Sequence, residues 1–181
     1  VEGLYGDVDA DEDDDRREHR DRQPLHEPRH EAEHAADAVR ERMRDSDIRL
    51  TIDVSKAGET FRADEHRLTQ VLFNLLSNAA NFAPAGSTVT LRAARLGQDV
   101  LFKVSDEGPG ISERDLARVF DRFETNPAGG RQSGAGLGLS IVKSFVELHG
   151  GRVDIASRPE GGTVVTCRFP AHSAELDRAA E

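Results

Sequence analysis

Residues 67–82 read RLTQVLFNLLSNAANF, and this stretch carries two periodicities at once. Leu68, Val71, Leu72, Leu75, Leu76 and Ala79 recur at the three- and four-residue spacing that sets them on one face of an α-helix. Gln70, Asn74, Asn78 and Asn81 fall on a second, narrow stripe of the same helix. Asn is a poor helix former, so three of them on one stripe require a reason. Two readings fit. The stripe is either a solvated edge or the polar rim of a pocket. For the second, Asn offers a neutral carbonyl oxygen, which suits a Mg²⁺ ion already held by phosphates and water. Asp64 is placed to cap this helix, which is expected to run to about Phe82.

Working outward, Ile48, Leu50, Ile52 and Val54 alternate with polar residues, as in a half-buried strand. Strands are expected near Val89–Arg95 and Val100–Val104, the second ending in the turn Asp106-Glu-Gly-Pro-Gly110. A short helix fits Glu113–Phe120, followed by a flexible, glycine-bearing stretch from Glu124 to Gly134. A further helix fits Leu137–His149, closed by Gly150-Gly151. Two last strands, Val153–Ser157 and Thr163–Phe169, read as a hairpin in which Cys167 is a core thiol. Neighbouring strands with three helices give an α+β sandwich, one sheet with helices on one face.

The start of the chain differs. Residues 1–47 hold 17 of the 34 acidic residues but only 8 of the 24 basic ones, so the acidity belongs to this quarter. Residues 1–30 are expected to be a disordered or atypical segment, with Pro24 and Pro28 interrupting any early helix. A helical link is expected over 31–47, thinly apolar at Ala35, Val39 and Met43, as a remnant of a longer helical element. His26, His30 and His34 have a metal-like spacing, but Pro28 lies between them and a solvated face is the simpler reading. An acidic chain without a basic stripe is no nucleic-acid binder. One Cys excludes a disulfide framework, and no apolar run approaches a membrane span. These readings point to a soluble, cytoplasmic domain.

Two more stretches carry chemistry. Asp106 at a strand end is placed to accept a hydrogen bond from an exocyclic amine, while Gly108 and Gly110 let backbone approach a flat ligand. Taken alone, this is also an ordinary turn. The run Gly134-Ala-Gly136-Leu137-Gly138-Leu139 enters a helix, where backbone N–H groups and the dipole favour an anion. It is neither a P-loop nor a dinucleotide fingerprint, and taken alone it is also a plain loop-to-helix junction.

Four motifs stand in order: Asn74-Leu-Leu-Ser-Asn78-Ala, Asp106-Glu-Gly-Pro-Gly110, Phe120-Asp-Arg-Phe123 and Gly134-Ala-Gly-Leu-Gly-Leu139. Over about Ile48 to Pro170, the chain resembles the ATP-binding catalytic domain of sensor histidine kinases, in the GHKL superfamily. The resemblance implies a two-layer sandwich with a mixed sheet and a mobile ATP lid over about Ser112 to Gly134, then a tail over 171–181. It implies that Asn78 binds the Mg²⁺ that bridges the ATP phosphates, with Asn74 supporting the phosphate side and Asn81 beside them. Asp106 then reads the adenine amino group, with Gly108 and Gly110 shaping that side of the pocket and Thr163 behind it. Phe120 and Phe123 anchor the lid base. Gly134, Gly136 and Gly138, with Leu137 and Leu139, form the lid hinge and approach the phosphates. The implied reaction is transfer of the γ-phosphate to histidine in two-component signal transduction, with a response regulator receiver domain downstream.

The match departs in places. In the gyrase-like and chaperone-like branches a Glu stands where this chain has Asn74, which is no base, so rapid hydrolysis is not expected. No His-Glu-Leu/Ile-Arg-Thr-Pro box is present, and His26 beside Pro28 is a poor substitute. The phosphoacceptor histidine domain is therefore expected from the same or another chain, and this chain alone is expected to be monomeric. Many relatives carry Lys at the place of Asn81 and Arg at that of Thr125. A neutral bond is weaker than a charge-assisted one, with Arg122 and Arg131 as candidate compensators. The alternative is a degenerate pseudokinase that binds nucleotide or docks a partner without phosphotransfer.

Overall fold

The computed structural model describes residues 24–58, 60–121 and 136–170. In chain order these form β1 (Leu25–His26), α1 (Pro28–Asp45), β2 (Arg49–Lys56), β3 (Phe61–Arg62), α2 (Glu65–Phe82), β4 (Thr88–Leu96) and β5 (Asp99–Ser105). Then follow α3 (Glu113–Leu116), α4 (Gly138–Leu148), β6 (Arg152–Ser157) and β7 (Thr163–Pro170). The main sheet has the order β2-β4-β5-β7-β6. β2 runs parallel to β4 and the other pairs are antiparallel, so the sheet is mixed, as expected.

Alternation along the central strands decides which side is covered. Val89, Leu91 and Ala93 of β4, Val100, Phe102 and Val104 of β5, and Val165, Cys167 and Phe169 of β7 are all buried. They share one core cluster with the inward sides of α1 and α2 and with Val142 and Val146 of α4. Phe61, Phe102 and Phe169 meet at its centre, with ring centroids 5.8–6.2 Å apart in tilted and edge-on pairs. Burial pushes the Cys167 thiol up to about 12, so it stays protonated as an inert core group.

α2 forms as its pattern dictates. The Asp64 carboxylate accepts from the Arg67 amide at 3.0 Å, and all the expected apolar residues are buried. A cap of this type stabilises by about 1 kcal/mol. α1 starts three residues before and ends two residues before the expected 31–47. It starts at Pro28, because proline at the first helical position loses only an amide that has no intrahelical partner. Its buried side is Ala32, Ala35, Ala36, Val39 and Met43, small enough for α1 to lie closely against α2.

The three histidines do not share a solvated face. His26 precedes the helix in β1, which pairs with β3, and its side chain is only 11% exposed. Its Nδ1 lies 2.9 Å from the buried Glu31 carboxylate, which also accepts from Thr69 at 3.3 Å. Among the described residues no group of His, Cys, Asp and Glu is arranged to hold a metal.

α3 is shorter than the expected Glu113–Phe120. None of its residues is buried, so only the Ser112 cap supports it and the chain continues in turns. α4 begins at Gly138, one residue later than expected. At its far end His149 is buried and caps the helix. The His149 Nδ1–H donates to the Phe145 carbonyl at 2.6 Å, and Nε2 accepts from the Asp64 amide at 3.0 Å. This one neutral ring therefore ties the end of α4 to the start of α2.

Candidate nucleotide site

The site lies between the end of β5, the Asn stripe of α2 and the start of α4. Asp106 follows β5 and is 8% exposed. Its Oδ1 accepts from the amides of Gly108 at 2.8 Å and Thr163 at 3.2 Å. Its Oδ2 has no hydrogen-bond partner among the described residues. The carboxylate is thus held by one oxygen and presents the other. Burial pushes its pKa up, while the Gly108 and Thr163 amides and the Arg158 charge pull it back.

The glycines around Asp106 are fixed by space. A Cβ on Gly108 would sit 2.8 Å from the Phe82 carbonyl oxygen, at the end of α2. Gly162 has φ 98°, and a Cβ there would collide with the Asp106 carbonyl oxygen. The strand end, the helix end and the β6–β7 turn are therefore backbone-to-backbone here. Ser157 adds a stitch, its Oγ accepting from the Ile111 amide at 2.7 Å and meeting the Ile111 carbonyl at 2.6 Å. Arg158 donates to the Asp106 carbonyl at 3.3 Å while paired with Glu160. Neither Ser157 nor Arg158 was legible in the sequence, because each contact spans about fifty residues of chain.

The opposite wall is the Asn stripe. Gln70 donates to Asn74 Oδ1 at 2.9 Å, and Asn74 Nδ2 donates to the Gly138 carbonyl at 3.4 Å. Asn78 is half-buried, and a Cβ on Gly138 would lie 3.4 Å from its amide atoms. The Asn78 amide has no hydrogen-bond partner among the described residues. Asn81 is different: its Oδ1 accepts from the Arg42 guanidinium of α1. Facing the stripe, α4 opens at Leu137 with no side-chain cap among the described residues, and the amides of its first turn have no acceptor within the helix.

The remaining expected residues divide. Gly110 lies against Gly162 and Ser157, and Gly136 adopts φ 67° at the approach to α4. Leu139 is half-buried against the core, and the Leu137 carbonyl accepts from Ser140 Oγ at 2.9 Å. Thr163 meets Asp106 through its backbone. Phe120 lies under Lys143 of α4, with Nζ 6.0 Å from the ring centroid. Phe123, Gly134, Arg122, Thr125 and Arg131 lie outside the described residues, as does most of the expected lid.

This geometry defines a class, and comparison with known proteins specifies it. Residues 63–173 match the family described as histidine kinase-, DNA gyrase B- and HSP90-like ATPase, and the chain belongs to that family. It is 40% identical over 136 residues to the circadian input-output histidine kinase CikA of Synechococcus elongatus, covering 73% of this chain and 18% of that one. Its fold matches the mycobacterial sensor histidine kinase MprB with a TM-score of 0.73 at 27% identity, over 83% of this chain and 98% of that one. It matches full-length ShkA, determined in complex with AMPPNP, with a TM-score of 0.74 at 30% identity, over 84% of this chain and 32% of that one. The chain is an ATP-binding catalytic domain of the sensor histidine kinase type. It spans less than a fifth of the length of the first curated relatives it matches. Among the described residues, no helix is long and apolar enough to cross a membrane.

Proposed function

We propose that this domain binds ATP with Mg²⁺ and transfers the γ-phosphate to a histidine presented by a dimerisation domain of the same or another chain. The observation that carries the reading is Asp106, anchored through Oδ1 and open at Oδ2. An oxygen so placed accepts from an exocyclic amine such as that of adenine. Gly108 and Gly110 keep the adjacent backbone low, and Thr163 closes the back of the site.

The triphosphate then lies between the Asn stripe and the start of α4, where the first-turn amides and the helix dipole favour an anion. The Asn78 side chain fits a metal ligand, being half-buried and without a hydrogen-bond partner among the described residues. A single neutral oxygen holds Mg²⁺ only together with phosphate oxygens. When bound, the ion neutralises phosphate charge. Asn74 orients the phosphate side and is no base, which disfavours activation of water. In the reaction the bond between the γ-phosphorus and the bridging oxygen breaks, a nitrogen–phosphorus bond forms on histidine, and ADP leaves.

The nucleotide-binding unit is taken to include residues 24–47 as well as 48–170, because α1 shares the core. Phe120 under Lys143 supports a lid base at the start of α4. A response regulator receiver domain is the proposed acceptor of the phosphoryl group from the histidine, in the cytoplasm. Calorimetric titration of ATP into the chain, with and without Mg²⁺, tests the reading. Binding strengthened by Mg²⁺ supports it, and no binding at millimolar nucleotide refutes it.

A further inference from the structure

We propose that Arg42, on α1, is the phosphate-gripping cation of this pocket, and that it acts from the flank of the Asn stripe. The inference rests on the ATP-binding reading above. Asn81 lies on the same stripe as Asn74 and Asn78, one helical turn beyond Asn78. Arg42 reaches across from α1, with Nη1 donating to Ser77 Oγ at 3.3 Å and Nη2 donating to Asn81 Oδ1. A guanidinium only donates, so the Asn81 oxygen faces Arg42 and its NH₂ group is turned away, free to donate.

The charge is the telling feature. Several arginines of the fold sit beside a carboxylate, as Arg40 does with Asp37 and Arg158 with Glu160. Arg42 is half-buried, its two acceptors are neutral, and no carboxylate lies within 4.0 Å of it among the described residues. Two of its five donors are used, which leaves the rest of the fork for another oxygen. A partly buried, uncompensated cation favours an anion, and the anion this pocket is shaped for is the phosphate chain. α1 is fixed by its buried Ala32, Ala35, Ala36, Val39 and Met43, so Arg42 is delivered from a rigid helix.

The test compares ATP, ADP and adenosine by calorimetry, using the whole chain and the variants Arg42→Gln, Arg42→Lys and Arg42→Gln with Asn81→Lys. Melting temperatures are measured alongside. Loss of a charge-assisted bond predicts that Arg42→Gln binds ATP and ADP about tenfold or more weakly and binds adenosine as the wild type does. Arg42→Lys is expected to retain part of the affinity. Asn81→Lys, placing a cation on the same stripe, is expected to restore ATP affinity in the Arg42→Gln chain. Unchanged ATP affinity in Arg42→Gln overturns the inference, and so does an equal loss for ATP and adenosine. Those results leave Asp106-dependent ATP binding standing. Failure of the wild type to bind ATP overturns the functional reading and this inference together.

Discussion

Replacing Asp106 by Asn separates recognition from stability. In the wild type Oδ1 accepts two amides and Oδ2 is open. The Asn side chain has one oxygen for both tasks. If that oxygen stays on Gly108 and Thr163, an NH₂ group faces the ligand amine, donor against donor. If it flips, the NH₂ group faces two amide donors instead. Loss of a hydrogen bond to a charged group costs about 1.5–3 kcal/mol. At about 1.4 kcal/mol per decade, ATP affinity falls by about 10- to 150-fold. Stability moves the other way. Burial raises the Asp106 pKa above its ordinary value, so its contribution to folding is complete at low pH and is lost as pH rises through the folded value. A neutral Asn avoids that loss, and the melting temperature at pH 7 is expected to hold or rise. The assay is calorimetry with ATP, paired with thermal melts at pH 7 and pH 4. ATP affinity within about threefold of wild type would refute the assignment, since the mismatch costs more than that. A collapsed melting temperature would refute the claim that the lost affinity is local.

Other predictions follow from the same geometry. ATP affinity is expected to fall with acid through the raised Asp106 pKa, at a higher pH than for a free aspartate; titrations at stepped pH check this, and the drop should be absent in Asp106→Asn. Asn78→Ala is expected to abolish most of the gain in ATP affinity that Mg²⁺ provides while sparing adenosine, as read by paired titrations with and without the ion. Gly162→Ala forces a Cβ into the Asp106 carbonyl oxygen at φ 98°, and is expected to cost about 1–3 kcal/mol of stability in denaturant melts together with nucleotide affinity. Phe102→Ala removes the centre of the aromatic cluster, and is expected to cost about 3–5 kcal/mol in the same melts.

The sandwich was legible because burial imposes periodicity. The inward residues of α2 and the alternating residues of β4, β5 and β7 are those their spacing marks. The start of α1 was placed too late because its core face is mostly alanine, which signals weakly, and because Pro28 opens the helix instead of interrupting it. β1 and β3 are two residues each, too short to alternate. His26 was assigned to a solvated face because Pro28 follows it, whereas its partner Glu31 is buried. At the candidate site, Asp106 stood out as a carboxylate at a strand end beside glycines, and the Asn stripe because repeated helical Asn requires a cause. Asn81 was grouped with the ligand contacts on its stripe, and the structure adds that its oxygen accepts from Arg42 across 39 residues of chain. No local pattern encodes a contact of that kind.

The central claim is phosphotransfer to histidine, and its most direct measurement joins this domain to a phosphoacceptor hairpin that is active with a control kinase domain. With ATP labelled at the γ-position and kept below saturation, the account predicts label on the hairpin that is lost in acid and stable in base, and that falls by about the affinity loss with Asp106→Asn. Nucleotide binding with no labelled hairpin, while the control domain labels the same hairpin, would contradict it and leave a nucleotide-binding module without transfer.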